Sequence, residues 1–190
     1  MRKFKISVLL KLGFYCLFLS IGLEMQARKF VHPGILHTTK SIERMRAQIA
    51  DKEYPAYGSF ELLKSHHCSQ ADYQPFGPFE IISRDGEFRH TKSKMEQDFS
   101  AVYQNALMWV LTGEKTHAEK SLELLLGYAG TLKRIPETND APLLVGLEGL
   151  KIIYATEILR HTYKKMTVVQ FNEISRMTVS YTHLTLPTIR

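Results

Sequence analysis

The chain contains 190 residues, with 25 Lys and Arg against 19 Asp and Glu, which gives a formal net charge of +6. Much of this excess lies at the two ends, because the first 27 residues hold four basic side chains and Glu24, and Arg190 is the last residue. The stretch between them carries 20 basic and 18 acidic residues, or about +2, without a basic block. Composition therefore gives no indication of a nucleic-acid partner.

The N-terminal segment has the pattern of a targeting signal. Three basic residues among the first five precede a mostly apolar run over Ile6–Leu23, and Ala27 offers a small residue for cleavage. We predict a signal peptide over residues 1–27 and export of the remainder to the periplasm, with no membrane association after cleavage. The alternative is an uncleaved anchor, because the apolar run is long enough to cross a bilayer.

Cysteine content restricts the redox and metal chemistry of the body of the chain. Cys16 lies in the leader, so Cys68 is the one cysteine of the body and no intramolecular disulfide forms. His66, His67 and Cys68 are consecutive and invite a metal interpretation. Adjacent residues point in different directions, however, and the usual C-x-x-C and H-x-x-x-H spacings are absent. We therefore predict a solvated polar loop, no metal site and no cofactor.

Caps and breakers predict two helices followed by a long irregular segment. Thr38 or Thr39 opens the first helix, which ends at Ala50 and places apolar residues on one side. The second helix is predicted over Tyr57–Lys64. The segment His66–Lys92 then carries Pro and Gly without any periodicity. Irregular segments of this length in compact domains are usually functional or disordered.

The most regular part of the sequence is a helical hairpin over Asp98–Leu132. Ser93 and Glu96 form a capping box for its first helix, which ends at Gly113, and Thr116 caps its second helix. Apolar residues recur at spacings of three and four on both helices, which predicts one core-facing stripe on each. The stripes are Phe99, Val102, Ala106 and Trp109 on the first helix and Ala118, Leu122, Leu125, Ala129 and Leu132 on the second. Such a hairpin must pack against others of its kind to bury both faces.

Two more helices complete a predicted set of six, or three hairpins. The fifth runs to about Tyr163, and Thr167 with Gln170 caps the sixth. Periodicity predicts that the core stripe of the fifth helix consists of Leu143, Leu147, Leu150, Tyr154 and Ile158.

The last twelve residues differ in character from the rest of the chain. Val179–Thr188 reads as the in-frame translation of a transposase adapter used to prepare sequencing libraries. The alternative is a genuine strand, since Val, Tyr, Thr and Leu favour strands. Ten consecutive matching codons are hard to obtain by chance, so we predict that Val179–Arg190 is foreign to the fold.

Four segments of the body carry a resemblance to a known family. They are Phe30–His37 (FVHPGILH), Ser83–Lys92 (SRDGEFRHTK), Asp98–Gly113 (DFSAVYQNALMWVLTG) and Pro142–Tyr163 (PLLVGLEGLKIIYATEILRHTY). In this order and spacing they resemble the alginate-lyase family of polysaccharide lyases. The resemblance implies an all-α fold over residues 28–178, an incomplete (α/α) toroid built of antiparallel helical hairpins.

The same resemblance implies cleavage of an acidic, uronic-acid polysaccharide by β-elimination, without a cofactor. The difficult step is removal of the weakly acidic C5 proton, which requires a neutralised carboxylate and a Tyr or His as base. The family's Asn-Trp and His-bearing elements, which supply such groups, lie beyond the helix that begins near Thr167. No catalytic residue is therefore carried over to this chain, and we expect it to be inactive as it stands.

Residues of the chain can still contribute to a substrate cleft. Ser83–Lys92 precedes an inner-type helix of the toroid, so we predict that its basic side chains contact sugar carboxylates. Tyr103 and Asn105 lie off the apolar stripe of their helix and are predicted to face the cleft. Asn139 and Asp140 occupy the next connection, where they also suit a turn. The predicted substrate-binding residues are therefore Arg84, Arg89, His90, Lys92, Tyr103, Asn105, Asn139 and Asp140.

Two other functions compete with the lyase interpretation. A helical-repeat scaffold that binds protein partners is one, but such arrays repeat at about 34 residues. The hairpins here are unequal in length, and the His66–Lys92 segment interrupts any period. A carbohydrate-binding relative without catalysis is the other, and its sequence would look the same in this region.

Overall fold

In a computed structural model of the protein, residues 30–183 are described, with side chains to residue 179. The predicted signal peptide and residues 184–190 lie outside this range. The chain divides into two units, Met1–Val31 and His32–Arg190, and all helices described below belong to the second. Within residues 30–183 the α-helices are α1 Thr39–Ala50, α2 Ala56–Ser65, α3 Lys92–Thr112, α4 Lys115–Thr131, α5 Ala141–Thr162 and α6 Val168–His183.

The prediction of an all-α fold is confirmed for this part of the chain. Residues 30–183 contain these helices, two short 3₁₀ turns and no strand. A single parallel bridge joins Ile81 to Arg134. None of the helices in the described range has the combination of length and apolar character that crossing a bilayer requires.

Three helix ends lie where the sequence predicts them. The Ser41 N–H donates to Thr38 Oγ1 at 3.1 Å at the start of α1. Gly113 ends α3 in the left-handed region, with φ of 79°, a conformation that glycine adopts without steric cost. At the start of α6, the Gln170 N–H donates to Thr167 Oγ1 at 3.2 Å and the Thr167 N–H donates to Gln170 Oε1 at 2.9 Å. This reciprocal pair is the predicted capping box.

Two other predicted caps are wrong. The helix α3 starts at Lys92 and α4 starts at Lys115, so Ser93 and Thr116 already lie inside the first turns. Glu96, the predicted partner of Ser93, accepts a hydrogen bond from an arginine of the preceding segment instead. A tertiary contact thus overrides a local signal at α3, and both helix starts lie two residues before the predicted ones.

The last four helices pack against one another. The helix α3 contacts both α4 and α5, and α6 contacts the same two helices. The helix α4 also contacts α5. The helix α1 packs against α3, and α2 packs against α1. The structure therefore shows helices packed against one another throughout the described residues.

Both stripes predicted for the central hairpin contribute to the core. Trp109 is partly buried against that core, and its Nε1–H donates to Thr162 Oγ1 at 2.9 Å. This bond ties the end of α3 to the end of α5. The buried members of the two stripes are Phe99, Val102, Ala106, Ala118, Leu122 and Leu125, while Ala129 and Leu132 are partly buried.

The buried face of α5 differs from the predicted one. Leu143, Leu147 and Leu150 are 48%, 50% and 43% exposed. Of the predicted stripe, Ile158 is buried and Tyr154 is partly buried. Apolar residues lie on several sides of α5, so they match the 3.6-residue period on more than one face. Periodicity therefore predicted a face that is largely exposed in the structure. The buried residues of α5 are Ala141, Leu144, Glu148, Gly149, Ile152, Ala155, Thr156, Ile158 and Leu159.

A buried carboxylate holds the long irregular segment against the central hairpin. Asp98 is 0% exposed and accepts hydrogen bonds from the phenols of Tyr73 at 2.8 Å and Tyr128 at 2.7 Å. It also accepts from the backbone N–H groups of Phe76 at 2.9 Å and Gly77 at 2.8 Å. A Cβ at Gly77 would lie 2.5 Å from the Tyr128 hydroxyl, so glycine is required for this approach. The segment is therefore fixed by satisfied polar contacts.

The predicted foreign tail extends the last helix, because α6 continues to His183. The core contribution of α6 includes Ile174 and Met177, whereas Val179 is 52% exposed. Deleting Val179–Arg190 is therefore expected to leave the melting temperature and the helical circular-dichroism signal nearly unchanged. Comparison of the two proteins by thermal unfolding tests this expectation, and a large loss of stability would show that the tail packs.

Candidate functional site

Three polar residues of α3 lie on one face of the helix, and two of them contact α5. Glu96, Ser100 and Tyr103 recur at spacings of four and three, so they line one side over about 10 Å. Each contacts a group from another segment, and all of these residues are half-buried. We call the three residues and their partners the α3 polar strip; the partners are Arg84, Lys151 and His37.

One end of the strip is a histidine–tyrosine pair. His37 Nε2 lies 2.5 Å from Tyr103 Oη, and the ring of Tyr154 on α5 lies 5.9 Å from the Tyr103 ring. Burial lowers the pKa of His37 below its ordinary value of 6.5. Burial, and to a smaller extent the charge of Tyr154, raises the pKa of Tyr103 to about 12. Both groups are therefore neutral at pH 7, and the phenol donates to the imidazole.

The middle of the strip is a lysine that joins α5 to α3. Lys151 Nζ donates to Ser100 Oγ at 3.0 Å and to Glu148 Oε2 at 2.7 Å. Glu148 is 5% exposed, so the ammonium compensates a nearly buried carboxylate. An ammonium has three N–H donors, and 29% of the Lys151 side chain is exposed. One N–H of the Lys151 ammonium thus has no acceptor within the described part of the chain and can bind an acceptor at the surface.

The other end of the strip is an arginine–glutamate pair. Arg84 Nη1 lies 2.6 Å from Glu96 Oε1, and 14% of the Arg84 side chain is exposed. Its Nε is buried and has no hydrogen-bond partner within the described part of the chain. Arg84 therefore lies beside α3 as part of the strip, but its positive charge is already paired with the carboxylate of Glu96.

The structure places five other predicted residues outside the strip. Arg89 and His90 are exposed on the short helical turn that precedes α3, and Lys92 is the first residue of α3. Asn139 is exposed and Asp140 is half-buried immediately before α5. Of the eight predicted substrate-binding residues, Arg84 and Tyr103 alone belong to the strip.

Asn105 does not face a cleft, so that prediction is wrong. Its side chain is fully buried, and Nδ2 donates to the carbonyls of Cys68 at 2.9 Å and Ala101 at 3.0 Å. Its Oδ1 accepts from His117 Nδ1 at 2.8 Å. Because Asn105 follows Tyr103 by two positions, it points roughly to the opposite side of α3. Its amide joins α3 to α4 and to the irregular segment.

The His66–His67–Cys68 run is more ordered than the solvated loop that the sequence predicts. Cys68 is 1% exposed in a short 3₁₀ turn, whereas both histidines are exposed. Cys68 Sγ lies 3.2 Å from His67 Nε2 and 3.6 Å from the carbonyl of Gln97. Burial, more than the nearby charge of Asp98, raises the pKa of the Cys68 thiol. The thiol is therefore protonated and poorly reactive at neutral pH.

Comparisons with protein-family models, with curated proteins and with solved structures find no match for this chain. The strip contains groups that suit proton transfer and groups that suit carboxylate binding, at neighbouring positions of two packed helices.

Glu96, Ser100, Lys151 and His37 of the strip were not predicted as site residues, nor was the neighbouring Tyr154, and three of these five leave a faint signal in the sequence. His37 closes the FVHPGILH segment, which supplied part of the family resemblance without a role for this histidine. Tyr154 was assigned to the core stripe of α5, and Lys151 lies three positions before it. A lysine inside an otherwise apolar helix is the stronger clue, because a charge in that setting needs a partner.

Stability is expected to fall as the pH drops below about 6.5, because buried histidines must stay neutral in the folded protein. Burial lowers the pKa of His117, against a smaller opposing effect of Glu114. The stabilising contribution is complete above the unfolded value of 6.5 and is lost as the pH falls through the lower folded value. Burial also lowers the pKa of His37 and of His161, which act in the same direction.

Urea unfolding at pH 7.5 and pH 5.5 measures this effect. The His117→Gln variant should show a smaller difference between the two pH values than the parent protein. His90→Gln is the matched control, because His90 is exposed and its substitution should leave the difference unchanged. An identical pH dependence in all three proteins would contradict the assignment to His117.

Proposed function

We propose that this chain is the N-terminal part of an exported lyase that cleaves uronic-acid polysaccharides by β-elimination, and that the α3 polar strip forms one wall of its substrate cleft. The observation that carries the proposal is the half-buried His37–Tyr103 pair one helical turn from Lys151 and Ser100. The resemblance to alginate lyases supports it. The side-by-side packing of α3 and α5 also suits the inner layer of an (α/α) toroid.

The strip supplies groups of the types that β-elimination uses. Tyr103 is protonated at neutral pH and can donate a proton to a leaving glycosidic oxygen. His37 accepts the hydrogen bond of that phenol and orients it, and the phenolate left after the transfer takes its proton back from solvent water. The remaining N–H of Lys151 can bind a sugar carboxylate while its bonds to Ser100 and Glu148 stay in place.

The strip nevertheless cannot fully neutralise the substrate carboxylate, which abstraction of the C5 proton requires. The charges of Lys151 and Arg84 are offset by Glu148 and Glu96, so these four groups carry no net charge. A substrate carboxylate bound here would be oriented but incompletely neutralised, and the C5 proton would remain weakly acidic. The resemblance implies that the amide and imidazole groups used for this purpose come from elements other than those of the strip.

The 190-residue chain is therefore expected to bind uronate oligomers without cleaving them. Incubation with alginate and other polyuronates should produce no rise in ultraviolet absorbance from unsaturated chain ends. A clear rise, retained after repurification, would mean that the catalytic groups lie within this chain and that their assignment to later elements is wrong.

Binding is the sharper test of the proposed cleft. Titration with a uronate oligomer, followed by calorimetry or by NMR, should show that Lys151→Met weakens affinity about tenfold, as loss of one charge-assisted bond would. Lys133→Met is the matched control, because Lys133 forms an exposed pair with Glu80 away from the strip. A neutral oligosaccharide of equal length should bind neither protein. Equal affinities of the two lysine variants would overturn the assignment of the strip.

A further inference from the structure

Three potential metal ligands meet where the segment before α1 crosses α5. Glu157 and His161 lie four positions apart on one face of α5, and His32 approaches them from that segment. His32 Nδ1 lies 2.6 Å from Glu157 Oε1, and His161 Nε2 lies 3.5 Å from Glu157 Oε2. One ligand atom from each of the three side chains lies within 4.8 Å of the others. Their side chains are 43%, 16% and 29% exposed, in the order His32, Glu157, His161.

We propose that His32, Glu157 and His161 bind a divalent transition-metal cation, with Zn²⁺ as the best fit. Two imidazoles and one carboxylate form a ligand set that zinc sites use when they keep a fourth position for water. The partial exposure of all three side chains leaves room for that water and for entry of the ion.

The carboxylate of this cluster is already oriented by the backbone. The Gly34 N–H donates to Glu157 Oε1 at 2.9 Å. Metal-binding carboxylates commonly have such an additional hydrogen bond, which fixes their direction and tunes their basicity. The proposed site thus has three ligands and a backbone hydrogen bond that orients one of them, Glu157.

Binding requires a small rearrangement of His32. Bond lengths of 2.0–2.2 Å in a tetrahedral site place ligand atoms about 3.4 Å apart. His161 Nε2 lies 3.5 Å from Oε2 of Glu157 and His32 Nδ1 lies 2.6 Å from Oε1, so His32 must move away from Oε1 before one carboxylate oxygen and both imidazoles can bind the same ion. The two imidazole rings are stacked, 4.1 Å apart and 12° from parallel, so one must also turn to direct its lone pair at the ion. The greater exposure of His32 makes it the ring that turns.

An ion at this position would clamp the segment before α1 onto α5. His37 follows His32 by five residues, so the clamp would also restrain the histidine that contacts Tyr103 in the α3 polar strip. The proposal does not depend on the lyase function, because it concerns metal affinity and the fixing of this segment.

A second cluster of possible ligands, His66, His67 and Cys68, provides the competing hypothesis. Its thiol is buried, and His66 Nδ1 already accepts a hydrogen bond from the Cys68 N–H at 3.2 Å. Binding there would have to deprotonate a thiol whose pKa burial raises. The three ligands are also consecutive in sequence, so a metal would tie no separate segments together. The cluster on α5 is the better site on each of these grounds.

Thermal unfolding of the chelator-treated, full-length chain with added Zn²⁺ tests the proposal. Saturation at about one hundred times the dissociation constant should raise the melting temperature by about 5–10 °C. His161→Gln should abolish this rise without unfolding the protein, because His161 is exposed on the surface of α5. The triple variant His66→Gln, His67→Gln, Cys68→Ser should retain it. Loss of the rise in the triple variant with retention in His161→Gln would overturn the assignment, as would no rise in the parent protein.

Cobalt substitution gives an independent readout of the ligands. Co²⁺ bound to two imidazoles and a carboxylate should show the absorption of a low-coordinate site without a sulfur-to-cobalt charge-transfer band. That spectrum should disappear in His161→Gln and persist in Cys68→Ser. A charge-transfer band that disappears in Cys68→Ser would place the ion at the other cluster.

Discussion

Replacement of Asp98 by alanine is expected to lower the free energy of unfolding by about 3–5 kcal/mol, a large part of the stability of a domain of this size. The carboxylate accepts four hydrogen bonds inside the core, two from phenols and two from backbone N–H groups. Removal of the acceptor leaves the two buried phenols without a partner and frees the partly buried N–H groups of Phe76 and Gly77, and each unsatisfied buried donor carries a desolvation cost. The irregular segment before α3 should also lose its main attachment to the hairpin.

Urea unfolding with and without the substitution measures the stability loss, and limited proteolysis reports on the irregular segment. Asp98→Asn should cause an intermediate loss, because it keeps the shape and one acceptor oxygen but loses the charge. Asp72→Ala is the matched control, since Asp72 is an exposed aspartate of the same segment. Its effect should stay within about 0.5 kcal/mol. If Asp98→Ala and Asp72→Ala unfolded at the same urea concentration, the carboxylate would not hold the fold together.

The sequence predicted helix ends well where residues within one helical turn determine them. The reciprocal box of Thr167 and Gln170 and the left-handed Gly113 depend on residues within one turn, so they could be read directly. The capping box predicted at Ser93 and Glu96 does not form, because Glu96 accepts a hydrogen bond from Arg84 of the preceding segment. Periodicity likewise failed on α5, where apolar residues cover more than one face and only the neighbouring helices select which is buried.

The candidate site could be predicted only in part, because its contacts join distant segments. His37 and Tyr103 are 66 positions apart, and Lys151 reaches Ser100 across 51 positions. Residue type and position on a helix indicated Tyr103, but no local pattern could pair it with His37. Asn105 shows the opposite failure, since its position on the helix predicted a cleft-facing side chain, whereas its amide satisfies buried backbone carbonyls. Asp98 was read as part of a family motif, and its role as a buried acceptor depends on tyrosines in two other segments.

An exposed leucine stripe on α5 should make the chain associate. Leu143, Leu147 and Leu150 recur at spacings of four and three and are 43–50% exposed, so they form one continuous apolar surface. Val168 and Val169 at the start of α6 are 57% and 72% exposed. Contiguous apolar surface of this kind lowers its free energy by pairing with another apolar surface. The parent chain is therefore expected to elute as mixed oligomers and to bind hydrophobic dyes.

The triple variant Leu143→Gln, Leu147→Gln, Leu150→Gln should elute as a monomer with several-fold lower dye fluorescence. Its melting temperature should change little, because these side chains contribute only part of their area to the core. Leu62→Gln is the matched control, since Leu62 is 74% exposed on α2 and lies outside the stripe, so its substitution should leave the oligomers unchanged. Size-exclusion chromatography with light scattering separates these outcomes. A parent chain that is a sharp, dye-negative monomer would show that the leucine stripe does not drive association.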